Sequence, residues 1–410
     1  MTELLSPAGT LKSMRYAFAY GADAVYAGQP RYSLRVRNNE FNHLENLELA
    51  INEAHAQGKL FYLASNISPH NDKVRTYLRD LEPVIAMKPD ALIMSDPGLI
   101  MMVRERWPDQ AVHLSVQANA TNYATVKFWA KQGLERIILS RELALEEIED
   151  IRAHCPETEL EVFVHGALCI AYSGRCLLSG YMTHRDSNQG ACTNSCRWEY
   201  NSLEAHEDEV GNLIASSGSA VQYTEPTKAV LLQEKNRPQD YMPAYEDEHG
   251  TYIMNSKDLR AVQHVERLVK AGIASLKIEG RTKSHYYVAR TAQIYRKAID
   301  DALAGRPFDP SLMAGLEHLA NRGYTEGFYK RHPSNEYQNY LQGNSISQQQ
   351  FVGEVTGIEQ GQQKAFVDVK NRFEVGDELL LVTPKGNTQF TLKALEAKTG
   401  AALNVAPGSG

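Results

Sequence analysis

The sequence lacks the long apolar runs and the leader that would direct a chain into or across a membrane. No apolar run approaches the roughly 20 residues that span a bilayer, although 43% of the 410 residues are hydrophobic. The first residues, MTELLSPAGTLKS, contain no basic stretch followed by an apolar core, so no secretory signal is recognisable. We therefore expect a cytoplasmic protein without a membrane partner.

The signatures of common hydrolases and nucleotide-binding proteins are also missing. The sequence has no glycine-rich phosphate loop, no Ser–His–Asp ordering and no His-Glu-x-x-His motif. A net charge of −7 argues against a uniformly basic nucleic-acid surface, although local basic patches are compatible with it. Cysteine is scarce, with five residues in all, and in a reducing compartment these are not expected to form a disulfide framework.

Four of the five cysteines lie in one polar stretch, residues 163–198: Cys169, Cys176, Cys192 and Cys196. Glycine, serine, asparagine and charged residues separate them, which is not typical of a core. Thiolates ligate metals, so the stretch predicts a metal or cluster site. Structural zinc usually has more closely spaced pairs, whereas an iron–sulfur cluster tolerates irregular spacing. The spacing alone leaves zinc and a cluster equally open.

Short apolar runs alternate with amphipathic helical patterns through most of the chain. Eight runs are mostly apolar on both faces, as expected for buried parallel strands: residues 3–5, 24–27, 60–64, 91–94, 112–116, 136–139, 161–164 and 275–278. This alternation predicts an α/β fold, a TIM-like (β/α)8 barrel. A doubly wound sheet is the alternative, but it rarely continues through eight similar units.

More than a hundred residues separate the seventh run from the eighth, far more than an ordinary βα loop. We therefore predict a barrel domain over residues 1–345, with an insertion at 166–257 after strand 7. Residues 258–269 are expected to form a helix before the last strand, and 253–255 are an alternative barrel strand. The alternating pattern after residue 351 predicts a small antiparallel β-barrel domain over 346–410. The pattern ends before a closing strand, which predicts a truncated domain.

In a TIM barrel the active site lies at the C-terminal ends of the strands. The predicted strand ends carry a polar ring: Ser6, Gly28, Asn66, Ser95, Asp96, Gln117, Asn119, residues 140–142, His165 and residues 277–281. Helix capping is the alternative explanation for Ser95, Asp96 and Asn119. Charge at a strand end inside a barrel needs a partner, so we predict His165, Glu279 and Arg281 as catalytic residues. We predict substrate contacts for Asn66, Gln117 and Lys277.

The loop after the second predicted strand, RYSLRVRNNEF, carries three arginines beside an aromatic residue: Arg31, Arg35 and Arg37 with Tyr32. Arginine alternating with an aromatic suits an anion or an RNA backbone. We therefore predict substrate binding by these three arginines. A solvated loop without a ligand is the alternative.

Several motifs resemble the collagenase-like peptidase family, whose catalytic type is unassigned. They are HGALCIAYSGRCLLS, RDSNQGACTNSCRW and SLKIEGRTKSHYYVARTAQIYRKAID, together with ELLSPAG and RYSLRVR. The resemblance runs from about residue 3 to the end and is greatest to members that modify tRNA. It therefore implies hydroxylation of the wobble uridine in the tRNA anticodon loop to 5-hydroxyuridine, with prephenate as co-substrate.

The resemblance also implies an iron–sulfur cluster, [4Fe–4S], held by the four cysteines. Several relatives take a fourth ligand from a downstream cysteine that this chain lacks, so either Cys196 completes the set or the cluster has an open iron. Arg281, Lys277 or Arg35 would hold the carboxylates of prephenate, and His165 and Glu279 would move protons. The alternatives are a metal-dependent peptidase with zinc and a non-catalytic RNA-binding scaffold with a structural four-cysteine site.

Overall fold

The computed structural model describes residues 2–34, 39–168, 257–317, 319, 321, 323–330, 350–359 and 364–408, and the backbone of five short strands between residues 205 and 252. Strands and helices alternate through the first part: β1 (Glu3–Pro7), α1 (Leu11–Ala19), β2 (Ala24–Gly28), α2 (Leu44–Ala56), β3 (Leu60–Ser65), α3 (Asn71–Ala86), β4 (Ala91–Met94), α4 (Pro97–Arg106), β5 (Val112–Leu114), α5 (Tyr123–Lys131), β6 (Arg136–Ile138), α6 (Leu145–His154) and β7 (Glu159–Ala167).

The later elements include more strands than helices. Five strands have their backbone described: β8 (Ala205–Glu207), β9 (Leu213–Ala215), β10 (Val230–Gln233), β11 (Tyr241–Asp247) and β12 (Gly250–Tyr252). They are followed by β13 (Asp258–Arg260), α7 (Val265–Lys270), β14 (Ser275–Ile278), α8 (His285–Leu303), α9 (Ser311–Glu317) and β15 (Tyr324–Thr325). The last strands are β16 (Gly353–Glu359), β17 (Lys364–Val369), β18 (Phe373–Glu374), β19 (Glu378–Thr383), β20 (Gly386–Thr391), β21 (Leu395–Glu396), β22 (Ala402–Leu403) and β23 (Val405–Ala406).

Eight parallel strands form a closed barrel. Strands β1 to β7 pair in sequence order, and β14 closes the barrel by pairing with both β1 and β7. Strands β2 and β4 are buried along their whole length, because their residues are apolar towards both the barrel interior and the surrounding helices. The TIM-like barrel predicted from the alternation is confirmed.

Polar residues at strand ends begin several of the barrel helices. The side chain of Asp96 accepts a hydrogen bond from the amide of Leu99, and α4 continues with a proline at its first position. Asn122 caps α5 and Ser284 caps α8 in the same way. Capping therefore accounts for Asp96 in the predicted polar ring. No helix in the described part of the chain is long and apolar enough to cross a membrane.

The helix predicted at 258–269 is wrong in its first part. Residues 258–260 form β13, which runs antiparallel to the end of β7 and parallel to β15. A 3₁₀ turn at Val262–His264 follows, and the α-helix begins only at Val265. Strand β7 continues beyond its last pair with β6 at Glu161, so its final residues offer free backbone groups on that edge. β13 satisfies these groups and buries Leu259. The alternative strand at 253–255 lies outside the described residues.

The C-terminal residues form small antiparallel sheets, as the alternating pattern predicted. β16 pairs with β17, β19 with β20, and β18 with β23. These sheets contact the barrel through Glu354, which accepts hydrogen bonds from Lys12 and Tyr16 of α1. Phe351 stacks on Tyr286 of α8. The domain boundaries stay predictions, because most of 166–257 and residues 331–349 are outside the described residues.

Candidate active site at the barrel mouth

The structure describes part of the predicted site. His165, Glu279, Arg281, Arg31, Asn66, Gln117 and Lys277 belong to the described residues, whereas Arg35, Arg37, Cys169, Cys176, Cys192 and Cys196 lie outside them. Among the described residues, no group of three or more His, Cys, Asp and Glu is arranged to hold a metal ion. The predicted metal site therefore stays a prediction.

The barrel interior contains a buried network of charged side chains. The ammonium of Lys277 lies 2.8 Å from Glu161, and Arg136 lies 3.4 Å from the same carboxylate. Arg136 also binds Glu3 at 2.7 Å, and Glu3 accepts a hydrogen bond from Tyr62. Burying charge is costly unless each group has a partner. The network satisfies Glu161 from two sides and fixes Lys277 beneath the mouth.

Two aromatic rings connect this network to the mouth. Lys277 lies 4.4 Å from the ring centre of Tyr26, and the guanidinium of Arg281 lies 5.8 Å from the same ring. Arg141 lies 3.9 Å from the ring centre of Phe163, and Lys277 is 5.4 Å from that ring. Burial lowers the pKa of Lys277, and Glu161 opposes this shift. Three cations therefore converge on the faces of two rings.

Arg141 joins the ends of three strands. It follows β6, it donates a hydrogen bond of 2.7 Å to the carbonyl of Ala167 at the end of β7, and it lies 3.4 Å from the carboxylate of Glu279 after β14. Arg141 belongs to the polar ring but was not among the predicted site residues. Its position shortly after a predicted strand could have indicated it. Many helix-capping residues occupy the same kind of position, so this signal is not specific.

The loop at 31–34 is held to the barrel by each of its residues. Arg31 pairs with Asp80 of α3 at 2.6 Å, and the buried hydroxyl of Tyr32 donates to the same carboxylate at 2.8 Å. Ser33 accepts a 2.7 Å hydrogen bond from Arg281. A Cβ on Gly28 would lie 2.7 Å from both Arg281 and Ser33, so glycine there permits this contact. The loop is therefore part of the mouth.

Asn66 and Gln117 lie at the ends of β3 and β5. The Asn66 side chain accepts a 3.3 Å hydrogen bond from the amide of Leu34 and donates to the Ser115 hydroxyl at 3.4 Å. Asn66 thus supports the loop at 31–34 from below. The side-chain oxygen of Gln117 is buried, and no described residue donates a hydrogen bond to it. Gln117 therefore offers an acceptor at the mouth.

His165 is buried on the outer side of the sheet. Its ring lies 5.5 to 5.8 Å from the rings of Tyr287, Tyr295 and Tyr324, and Nδ1 is 3.3 Å from the Tyr295 hydroxyl. Burial lowers the pKa of His165 to about 3, so the imidazole is neutral at pH 7. Its buried Nε2 has no hydrogen-bond partner among the described residues.

Comparison with known proteins identifies the family. Residues 9–339 match the family described as Peptidase family U32, and residues 347–410 match the Peptidase family U32 C-terminal domain. The chain belongs to peptidase family U32. The family resemblance of the sequence motifs is thereby confirmed.

Three relatives of the chain are named for tRNA hydroxylation. The chain is 66% identical to tRNA hydroxylation protein P of Escherichia coli strain K12, across 100% of this chain and 92% of that protein. It is 62% identical to tRNA hydroxylation protein P of Haemophilus influenzae, across 100% of this chain and 91% of that protein. It is 33% identical to tRNA hydroxylation protein P1 of Bacillus subtilis strain 168, across 98% of this chain and 89% of that protein.

Proposed function

We propose that the protein hydroxylates tRNA, converting the wobble uridine of the anticodon loop to 5-hydroxyuridine with prephenate as co-substrate. The observation that carries this proposal is the 66% identity to the Escherichia coli tRNA hydroxylation protein P over the whole chain. The cations at the barrel mouth support it, because both proposed substrates are anionic. We assign the protein to the cytoplasm, where it would meet tRNA.

The target base has to leave its stack before it can react. Enzymes that modify a base act on single-stranded nucleic acid or turn the base out of its stack, and the barrel mouth is the concave surface where strand-end residues converge. Arg31, Arg35 and Arg37 would contact the RNA backbone around the flipped base. The acceptor oxygen of Gln117 suits the N–H group of a uracil ring.

Prephenate carries two carboxylates, which guanidinium and ammonium groups bind through charge-assisted hydrogen bonds. Arg281, Lys277 and Arg35 are the residues that would hold it, and Asn66 keeps the adjoining loop in position. Glu279, whose side chain is 15% exposed, is the group best placed for proton transfer at the mouth. His165, neutral and surrounded by tyrosines, would accept or donate a proton only through Nε2.

An iron–sulfur cluster, [4Fe–4S], is the cofactor we propose for this chemistry, with Cys169, Cys176, Cys192 and Cys196 as its ligands. Four thiolates in one stretch of chain are the donor set that such a cluster takes. It would supply electron transfer or substrate activation. Protein purified without oxygen should then be brown with broad visible absorbance. Colourless protein with stoichiometric zinc would exclude the cluster.

The function is tested in cells that lack the gene. Cells rescued with the wild-type chain should contain 5-hydroxyuridine in tRNA, detected by mass spectrometry of digested nucleosides, whereas Cys169→Ala or Cys192→Ala should abolish it. Cys155→Ala is the matched control, because Cys155, directly after α6, is buried and donates to the carbonyl of Tyr123 at the start of α5. Unchanged modification in Cys192→Ala would remove the cysteines from the mechanism.

The same preparations distinguish the two alternatives. Cleavage of casein or collagen by the purified protein, lost on mutation of Glu279 or Arg281, would favour a peptidase. Binding of tRNA without any rescue of hydroxylation would favour a non-catalytic scaffold. The proposed function predicts rescue without proteolysis.

A further inference from the structure

Arg141 has the geometry of a ligand-binding residue. Its guanidinium lies 3.9 Å from the Phe163 ring centre, and one of its amino groups donates to the Ala167 carbonyl. A second amino group lies 3.4 Å from Glu279, a long contact for an ion pair. The buried Nε–H has no acceptor among the described residues. An unused buried donor on a fixed guanidinium favours an anionic ligand at this position.

The burial of the cations limits the size of that ligand. The side chains of Arg141 and Lys277 are 11% and 3% exposed, and Arg281 is 9% exposed. Lysines and arginines that bind RNA phosphates lie on the protein surface, where a wide polynucleotide can reach them. These three cationic groups instead lie as deep as the Tyr26 and Phe163 rings. A small organic carboxylate fits this depth, and the backbone of a folded RNA does not.

Glu279 occupies the position of a competitor. Its carboxylate contacts the same Arg141 that an incoming carboxylate would bind. One glycine beside this contact permits the close approach of the two strand ends: Gly166 has a φ of +105°, and a Cβ there would lie 2.4 Å from the Glu279 carbonyl oxygen. The backbone therefore holds Glu279 close to Arg141. A carboxylate ligand would have to compete with Glu279 for the guanidinium of Arg141.

We propose that Arg141, with Arg281 and Lys277, forms a recessed site for the carboxylate of a small organic acid, and that Glu279 competes with this acid for Arg141. The inference deepens the proposed function, on which it rests for the identity of the acid as prephenate. It adds a binding residue, Arg141, and gives Glu279 a part in controlling affinity.

The first test measures prephenate binding to the purified full-length protein by titration calorimetry without tRNA. Arg141→Met should weaken binding about 10-fold or more, because it removes a charge-assisted contact. Arg152→Met is the matched control, since Arg152 of α6 donates a 2.7 Å hydrogen bond to the Thr158 carbonyl at the opposite end of β7. Arg152→Met should bind prephenate as the wild type does. Equal affinities of Arg141→Met and wild type would overturn the proposal.

The second variant gives an effect of opposite sign. Glu279→Gln should tighten prephenate binding several-fold, because the competing charge is removed while the shape is kept. If Arg141 and Glu279 served only to hold the strand ends together, both substitutions would weaken binding, and that result would overturn the inference. Partial unfolding can weaken binding but cannot tighten it. The expected gain in affinity of Glu279→Gln therefore tests the proposal even if Arg141→Met loses stability.

Two further ligands identify the source of the anion. Phenylpyruvate, a monocarboxylate, should bind with the same dependence on Arg141, whereas inorganic phosphate should bind weakly and independently of it. Phosphate binding tighter than that of prephenate would overturn the carboxylate site in favour of an RNA phosphate. A wild-type protein that binds no organic acid, yet rescues tRNA hydroxylation in cells, would refute this inference and the role of prephenate, and would leave tRNA hydroxylation itself standing.

Discussion

At the scale of single residues, the pairing of β7 with β14 decides which side chains enter the barrel. Glu161 and Phe163 face inward, and simple alternation would place His165 inward as well. The register between the two strands shifts, however, so that His165 pairs with Ile278 directly after Phe163 pairs with Lys277. This irregularity turns His165 towards the tyrosines of α8. The sequence indicated a titratable residue at the strand end, but a bulge cannot be recognised from alternation.

The burial of His165 predicts acid sensitivity. Its pKa is about 3 in the folded chain and near 6.5 when unfolded, so below pH 6.5 the unfolded state binds a proton that the folded state does not. Between pH 7 and pH 5 this histidine should reduce the free energy of unfolding by about 2 kcal/mol. In urea titrations, His165→Gln should lose correspondingly less stability than the wild type over that interval. Parallel pH profiles would contradict the prediction.

The buried ion pair of Lys277 and Glu161 predicts an order of stabilities. Glu161→Gln leaves both Lys277 and Arg136 without this carboxylate, whereas Lys277→Met leaves Glu161 in contact with Arg136. Glu161→Gln should therefore cost about 3 kcal/mol of unfolding free energy or more, and Lys277→Met clearly less. The double variant should be more stable than Glu161→Gln alone. Denaturant unfolding of the three variants measures the order, and the reverse order would disprove it.

At the scale of elements, the sequence predicted the eight barrel strands, but it predicted the segments that connect them only in part. The eight barrel strands appear in the sequence as apolar runs because both of their faces are buried. β13 has only three residues and lies against the end of β7, so its sequence, DLR, carries no strand pattern. The loop at 31–41 was predicted to bind an anion through Arg31, Arg35 and Arg37. Its described part, 31–34, makes contacts that hold it to the barrel, and anion binding stays a prediction.

Asp80 is expected to control the order of that loop. It accepts from both Arg31 and Tyr32, so Asp80→Asn removes a charge partner from one and weakens the hydrogen bond of the other. Hydrogen exchange at 31–34 should become faster, with a loss of about 1–2 kcal/mol in stability. Asp72→Asn, in the first turn of the same helix, is the control and should leave the exchange unchanged. Equal exchange in both variants would show that the loop is held by other contacts.

At the scale of the whole molecule, the sequence predicted both the barrel and the C-terminal antiparallel sheets, but not the contact between them. The spacing of apolar residues within a short stretch of sequence indicates whether that stretch forms a helix or a strand. The contact between the small sheets and the barrel joins residues more than 300 positions apart, such as Lys12 and Glu354. No local pattern indicates such a pair. The predicted cysteine site likewise depends on residues outside the described part of the chain.

Glu354 is the residue at which this long-range contact can be tested. Burial opposes ionisation of its carboxyl, but hydrogen bonds from Lys12 and Tyr16 outweigh burial and lower the pKa of Glu354. Because this pKa is lower in the folded chain, the contact contributes stability above the ordinary glutamate pKa, and this contribution is lost as the pH falls through the lowered value. Glu354→Gln removes the charge, so it weakens both hydrogen bonds at pH values where the wild-type carboxyl is ionised.

Hydrogen exchange in β16, β17, β19 and β20 should therefore become faster in Glu354→Gln at pH 7, while exchange in the barrel strands changes little. The expected loss is about 1 kcal/mol, since the Lys12 side chain is 47% exposed and its ion pair is screened by solvent. Glu359→Gln, at the other end of the same strand, is the control. If the two variants exchange alike, the carboxylate does not hold the sheets to the barrel. The remaining contacts then do so: the stacking of Phe351 on Tyr286 and the hydrogen bonds that Tyr20 and Gln293 donate to the carbonyls of Val382 and Thr383.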